Sequence, residues 1–146
     1  MFTRTGTVWS LETTLSVSDG SFGRAVSVSG GRIAVGAMMS GSGRGVVYLY
    51  RLATGVWLAD GTVSATDPST DDWFGYDVSI DGDTLAVVAG GAWTLTAAHV
   101  DRAFFFTRGA TGWSSGARFV VDSTYNTDQP RIAVDGDYAA AGSEIF

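Results

Sequence analysis

Two stretches of this chain match one another without a gap at an offset of 52 residues, and that repeat constrains the fold more than any other feature. Phe22-Gly23-Arg24-Ala25-Val26-Ser27-Val28-Ser29-Gly30-Gly31-Arg32-Ile33-Ala34-Val35-Gly36-Ala37 aligns with Phe74-Gly75-Tyr76-Asp77-Val78-Ser79-Ile80-Asp81-Gly82-Asp83-Thr84-Leu85-Ala86-Val87-Val88-Ala89. A weaker third copy runs from Ile132 through Asp135-Gly136-Asp137 to Gly142, with Asp128-Gln129 where the others have Phe-Gly. A second element recurs in step. Trp9, Trp57 and Trp113 are followed six and eight residues later by Leu15 and Val17, Val63 and Ala65, and Phe119 and Val121. An aromatic run precedes each tryptophan: Phe2-Thr3-Arg4, Tyr48-Leu49-Tyr50-Arg51 and Phe104-Phe105-Phe106-Thr107-Arg108. Repeats of this length mark solenoids or propellers, and have to be found before any single element is assigned.

Each unit reads as four short strands. Val26-Ser27-Val28 and Ile33-Ala34-Val35 are alternating or apolar runs separated by Ser29-Gly30-Gly31-Arg32, a tight primed turn whose glycines supply positive φ. Asp81-Gly82 and Asp135-Gly136 are expected to make the same turn. A third strand is expected from Val46 to Arg51 and a fourth from about Val56 to Ala65, with Val8 to Val17 as its counterpart near the start. No segment carries a helical stripe. A four-stranded sheet cannot bury both faces alone, so the units must stack, and face-to-face stacking about an axis gives a β-propeller. The expected fold is therefore all-β, with four-stranded antiparallel blades. Small residues such as Ala34, Gly36 and Ala86 suit the crowded inner strands. Tyr48, Tyr50, Phe104 and Phe106 would fill the wider space between blades, and the three repeat tryptophans would pack there too.

Aligned on the repeat, residues 1–20 end a preceding blade, 21–66 and 67–122 form two blades, and 123–146 begin a further one. That makes about three blade equivalents, where closed propellers have 4–8. The expectation is that further blades come from a longer chain or from another copy, with the longer chain favoured because unpaired strand edges invite aggregation.

The paired signature Phe22-Gly23 with Ala34-Val35-Gly36-Ala37, repeated as Phe74-Gly75 with Ala86-Val87-Val88-Ala89, resembles the bacterial FG-GAP repeat. Gly45-Val46-Val47-Tyr48-Leu49-Tyr50-Arg51 followed by Gly55-Val56-Trp57 is similar to that family as well. The resemblance implies blades of an integrin-α-like β-propeller, extracellular or at the cell surface, used for adhesion or ligand binding. The sequence departs from the family pattern at Met38, where a proline often follows the second motif, and in the third copy, which has lost Phe-Gly.

Composition narrows the chemistry. The 20 glycines among 146 residues fit a turn-rich chain. A net charge of -6 opposes nucleic-acid binding, which needs a basic face. All nine basic residues are arginine, which removes lysine Schiff-base and P-loop chemistry. The absence of cysteine removes disulfides, thiolate metal sites and thiol nucleophiles. No apolar run approaches the roughly 20 residues of a membrane helix, and the start lacks the pattern of a signal peptide. The expectation is a chain that is soluble as written.

Many FG-GAP blades carry an Asp-rich calcium loop between the signature halves, but here that interval is a short hairpin with at most two carboxylates, too few for six to eight oxygen ligands. Asp67-Pro68-Ser69-Thr70-Asp71-Asp72-Trp73, with Asp77 nearby, is better charged but lacks the alternating oxygen pattern, and reads as a solvated loop between blades. Aspartate supplies 13 of the 15 acidic residues, as expected if it mostly serves turns. His99 is the single imidazole, in a run with no Gly-x-Ser-x-Gly elbow, and reads as a loop or strand-edge residue. Glu12 and Glu144 are the two glutamates, and nothing pairs the carboxylates for glycosidase-like work. Met38-Met39-Ser40-Gly41-Ser42-Gly43 with Arg44 reads either as a recognition loop or as an ordinary connection, and Trp73 and Trp93 either stack on sugars or pack between blades. No catalytic, cofactor or metal-binding residue is assigned. The expected function is a non-enzymatic binding or structural module that recognises a protein or glycan through surface loops. One rival is a propeller-based hydrolase or lyase drawing on Asp71, Asp72, Asp77 and Asp101, and another is an architectural fragment with no ligand of its own.

Overall fold

The turn chemistry sets the hairpins. In the computed structural model, which describes residues 1–68, 70, 72–90, 100–122 and 130–142, Gly30 and Gly31 both take positive φ, 53° and 75°, and join β3 (Ala25–Ser29) to β4 (Arg32–Ala37) in register Ser29↔Arg32. Both angles at once are what a two-residue primed turn requires. The equivalent turns differ from expectation. Between β7 (Phe74–Asp81) and β8 (Thr84–Ala89), and between β11 (Arg131–Asp135) and β12 (Tyr138–Gly142), only Gly82 and Gly136 take positive φ, while Asp83 and Asp137 do not. Glycine at the first central position is the sole requirement there, and an aspartate follows it without strain.

Two four-stranded antiparallel sheets result. The first runs β3-β4-β5-β6, with β5 (Val46–Ala53) and β6 (Val56–Val63), and the second β7-β8-β9-β10, with β9 (Asp101–Gly109) and β10 (Gly112–Asp122). They are flanked by two two-stranded ladders, β1 (Phe2–Thr5) with β2 (Val8–Leu11), and β11 with β12. The chain is all-β, in stacked blades of the β-propeller type. A single turn, Ser40–Gly43, holds Gly41 and Ser42 at φ of 57° and 63°, so it is left-handed and not a helix.

The cores lie between sheets, as unit stacking demands. Ala34, Val47 and Leu49 of the first blade pack with Val78, Leu85, Val87, Phe104 and Phe106 of the second. Phe74 meets the rings of Phe104 and Phe106 edge-on at 5.2 and 6.0 Å. On the other face of the second blade, Ala86, Val88 and Ala103 pack with Ile132, and Phe105, Val121 and Val134 border the cluster.

Some placements depart from the sequence reading. Trp9 does not pack between blades: it is 64% exposed, its ring beneath the Arg4 guanidinium at 5.8 Å. The cause is that, among the described residues, β2 pairs only with β1 and no sheet covers the ladder. The strand holding Trp9 ends at Leu11, well short of Val17. Trp57 and Trp113 are half-buried, Trp113 against the first core. Tyr48 and Tyr50 are half-buried too, because they lie on the opposite face of β5 from Val47 and Leu49, away from the second blade.

Candidate functional site

Side chains from one inner strand reach the backbone of the next, and these seams form the best-built polar structure in the molecule. Ser27 Oγ accepts the N–H of Ile80 at 3.0 Å and Ser29 Oγ that of Gly82 at 3.3 Å, while the Ser29 hydroxyl donates to Asp81 at 2.9 Å. One repeat further on the pattern recurs. Asp77 accepts from Ile132 N–H at 2.9 Å, Ser79 from Val134 N–H at 3.0 Å and Asp81 from Gly136 N–H at 2.8 Å. The two serines occupy the same repeat position, as do Ser29 and Asp81. Alternation along a strand puts these residues on one face, so each inner strand offers a row of acceptors to its neighbour. Backbone N–H groups that no strand pairs are thereby satisfied. The N–H of Gly136 and the hydroxyl of Ser29 hold the Asp81 carboxyl below its ordinary range.

A second seam feature is ionic. Asp60, on β6 and only 8% exposed, receives a fork from Arg108 of β9, with Nε at 2.8 Å and Nη2 at 3.0 Å. Trp113 Nε1 donates to it at 3.2 Å, and Arg51 and Arg32 approach to 3.3 and 3.5 Å. Arg32 in turn binds Asp83 of the second blade at 2.6 Å. The Arg108 hydrogen bond, followed by that of Trp113, keeps the Asp60 carboxyl below its ordinary range against the opposing effect of burial. The bidentate geometry is the strong form of such contacts.

At the opposite end of the strands lie the Phe-Gly signatures. Gly23 and Gly75 have φ of 90° and 84°. A Cβ on Gly36 would land on the carbonyl oxygen of Gly75, and one on Gly45 on that of Phe74, both well inside contact distance. The signature glycines are thus where two blade backbones touch. The 38–45 connection is fastened on both sides: Met39 N–H donates to Gly20 O at 3.2 Å, and Trp73 N–H donates to Gly43 O at 2.8 Å. Met39 and Arg44 remain exposed on it. Beside it the Arg24 guanidinium lies 4.8 Å over the Tyr76 ring, which stacks on Trp73.

The carboxylates considered for metal or catalysis are dispersed among other partners. Asp67 pairs with Arg118, which lowers its carboxyl pKa, and Asp72 lies 3.7 Å from Arg102. Asp77 serves the seam, and Asp101 opens β9. Asp19 accepts from the Tyr48 hydroxyl at 2.7 Å, a bond that lowers the carboxyl and raises the phenol. Among the described residues, no three acidic or imidazole side chains gather where they could hold a metal ion. Asp71, Trp93, His99 and Glu144 lie outside the described residues. Aspartate was expected mainly in turns; Asp60, Asp77 and Asp81, and Asp83 from within its turn, also bridge successive repeat units. The sequence signal was present, as Ser or Asp at alternate positions of each first strand facing its neighbour.

Among the described residues, each end of the stack leaves one sheet face exposed. Val26 and Val28 of β3 are 66% and 64% exposed, whereas Val78 and Ile80, at the same repeat positions, are each 4% exposed beneath the first blade. Among the described residues no helix is long and apolar enough to cross a membrane. Residues 57–99 match the family model of the FG-GAP repeat. No curated protein matches the chain. The matched unit begins in the outer strand of one blade and includes both inner strands of the next, so it spans a seam and not a blade.

Proposed function

Because this is an FG-GAP repeat chain folded as β-propeller blades, we propose that it acts as a non-enzymatic binding module, recognising a protein or glycan outside the cell through loops at the Phe-Gly end. The observation that carries this reading is the 38–45 connection, held by backbone bonds from Gly20 and Trp73 while Met39 and Arg44 point outward. Rigid support beneath exposed side chains is how scaffolds present recognition loops, and methionine supplies adaptable apolar contact. The engagement of Asp67, Asp72 and Asp77 by arginines and backbone supports a non-enzymatic reading over carboxylate catalysis. Screening the chain on protein and glycan arrays tests it. A ligand whose affinity falls at least tenfold on Arg44→Glu, with the melting midpoint unchanged, supports the reading. A folded chain that retains nothing, or a ligand indifferent to both Arg44→Glu and Met39→Ser, sinks it. The open faces at Val26 and Val28 favour a second reading, an architectural element that binds only further blades.

A further inference from the structure

The repeat carries its own comparison for the charges around Asp60. In the ladder between β4 and β5, Arg32 stands directly opposite Arg51, and in the ladder between β8 and β9 the same places hold Thr84 and Thr107. Like charges directly opposite one another destabilise a sheet, whereas a threonine pair supports it. Trp57 pairs with Leu52 and Trp113 with Arg108, so the third arginine also has an uncharged counterpart. Asp60 is the extra residue of a β-bulge, since Tyr50 pairs with Ala59 and Leu49 with Gly61. Three residues after Trp113, at the matching bulge, stands Gly116. Bulges re-aim side chains, and this one turns the Asp60 carboxylate into the seam where Arg32, Arg51 and Arg108 converge. The same blade architecture is thus built once with these charges and once without them. Sequences depart from local rules in this way chiefly at functional sites.

The charges of the cluster do not balance. Three guanidiniums face two carboxylates, Asp60 and, on Arg32, Asp83. One positive charge is left over, in a chain whose net charge is -6. Arg51 turns its Nε to Asp60 at 3.3 Å and, with 41% of its side chain exposed, is the most open of the three. Asp60 acts as a fixed anion beneath them, so the guanidiniums are ordered before a ligand arrives and lose little freedom on binding it. A planar guanidinium presents parallel N–H donors that fit two oxygens of one anionic group. We propose that Arg51 and Arg32, held by Asp60 beside Arg108, bind a tetrahedral oxyanion, the sulfate or phosphate group of a monoester, at the turn end of this seam. Three terminal oxygens let such a group meet two guanidiniums at once. The arginines and Asp60 belong to β4, β5, β6 and β9 of the two complete blades, at the other end of the strands from the Phe-Gly loops. The site therefore does not rest on the reading proposed above.

The test is a titration of this chain with sodium sulfate and, in parallel, sodium phosphate at constant ionic strength, read by NMR on the arginine Nε–H resonances. Those of Arg51 and Arg32 are expected to shift saturably, while those of Arg24 and Arg44, exposed elsewhere, stay in place. Arg32→Thr/Arg51→Thr installs the second blade's own pair and is expected to keep the circular dichroism spectrum. Read on Arg108, its binding weakens about tenfold or more, the loss of charge-assisted hydrogen bonds. Arg51→Gln, at the most exposed of the three, weakens binding in the same direction and guards against a folding defect in the double variant. The sulfate and phosphate monoesters of glucose distinguish the two sources, and the one that binds more tightly names the ester the site takes. No saturable shift with either anion, an equal response at Arg24 and Arg44, or undiminished binding in Arg51→Gln and in the double variant overturns the proposal. Binding of the bare anions with neither ester bound overturns it as well.

Discussion

Asp60 shows how one residue ties sequence to seam. Its carboxylate neutralises the Arg108 fork and satisfies the Trp113 indole across two blades. Asp60→Ala leaves two guanidiniums and an indole N–H without their acceptor, and is expected to cost about 2–3 kcal/mol of stability by denaturant unfolding, below the value for a fully buried pair because the arginines retain solvent contact. Its pH signature has a definite sign. The folded carboxyl titrates below its ordinary value of 3.8, so its contribution is complete above about pH 5 and is lost as pH falls through the folded value. Asp19, Asp67 and Asp81 are shifted the same way. The melting midpoint should hold level from about pH 7 to 5 and drop below about pH 4, with a shallower drop in Asp60→Asn. Two glycines make a second residue-scale comparison. Gly82 has φ of 53° and open space around it, so Gly82→Ala should cost about 1–2 kcal/mol for the left-handed backbone alone. At Gly36 the φ is unexceptional but the Gly75 carbonyl fills the space. Gly36→Ala should exceed that cost, in the range of severe overpacking, about 3 kcal/mol. Equal costs at the two sites would remove the close-approach account of the signature.

At the scale of elements, the strands and their order were legible, because short alternating runs between glycine turns repeat three times. Which side chains join one unit to the next was not. Ser27, Ser79 and Asp81 read as the polar face of a half-exposed strand or as turn residues, and only the placement of the neighbouring hairpin shows that they accept its N–H groups. The repeat also overstated Trp9, since equal sequence position does not give equal surroundings where no neighbouring sheet lies over the strand. The 67–73 segment resolved in the opposite direction. Its acidic character drew attention to calcium, yet Asp67 and Asp72 face Arg118 and Arg102, residues distant in sequence. Millimolar calcium is accordingly expected to leave the melting midpoint unmoved; a rise of several degrees would assign these carboxylates a metal after all.

At the scale of the whole molecule, stability is a property of seams, as in other arrays where each unit contacts only its neighbours. The FG-GAP match at residues 57–99 agrees, since it spans the junction between two blades. The most direct measurement of the seam account is native-state hydrogen exchange on the wild-type chain and on Ser27→Ala and Ser79→Ala. Each substitution removes one acceptor, and an N–H left without a partner loses about 1–2 kcal/mol of protection, roughly five- to thirtyfold in exchange rate. The account predicts that Ser27→Ala releases Ile80 while Val134 stays protected, and that Ser79→Ala does the reverse. Unchanged protection at Ile80 and Val134 in both variants, or its loss at both sites in either one, would contradict blades joined by separate side-chain-to-backbone seams.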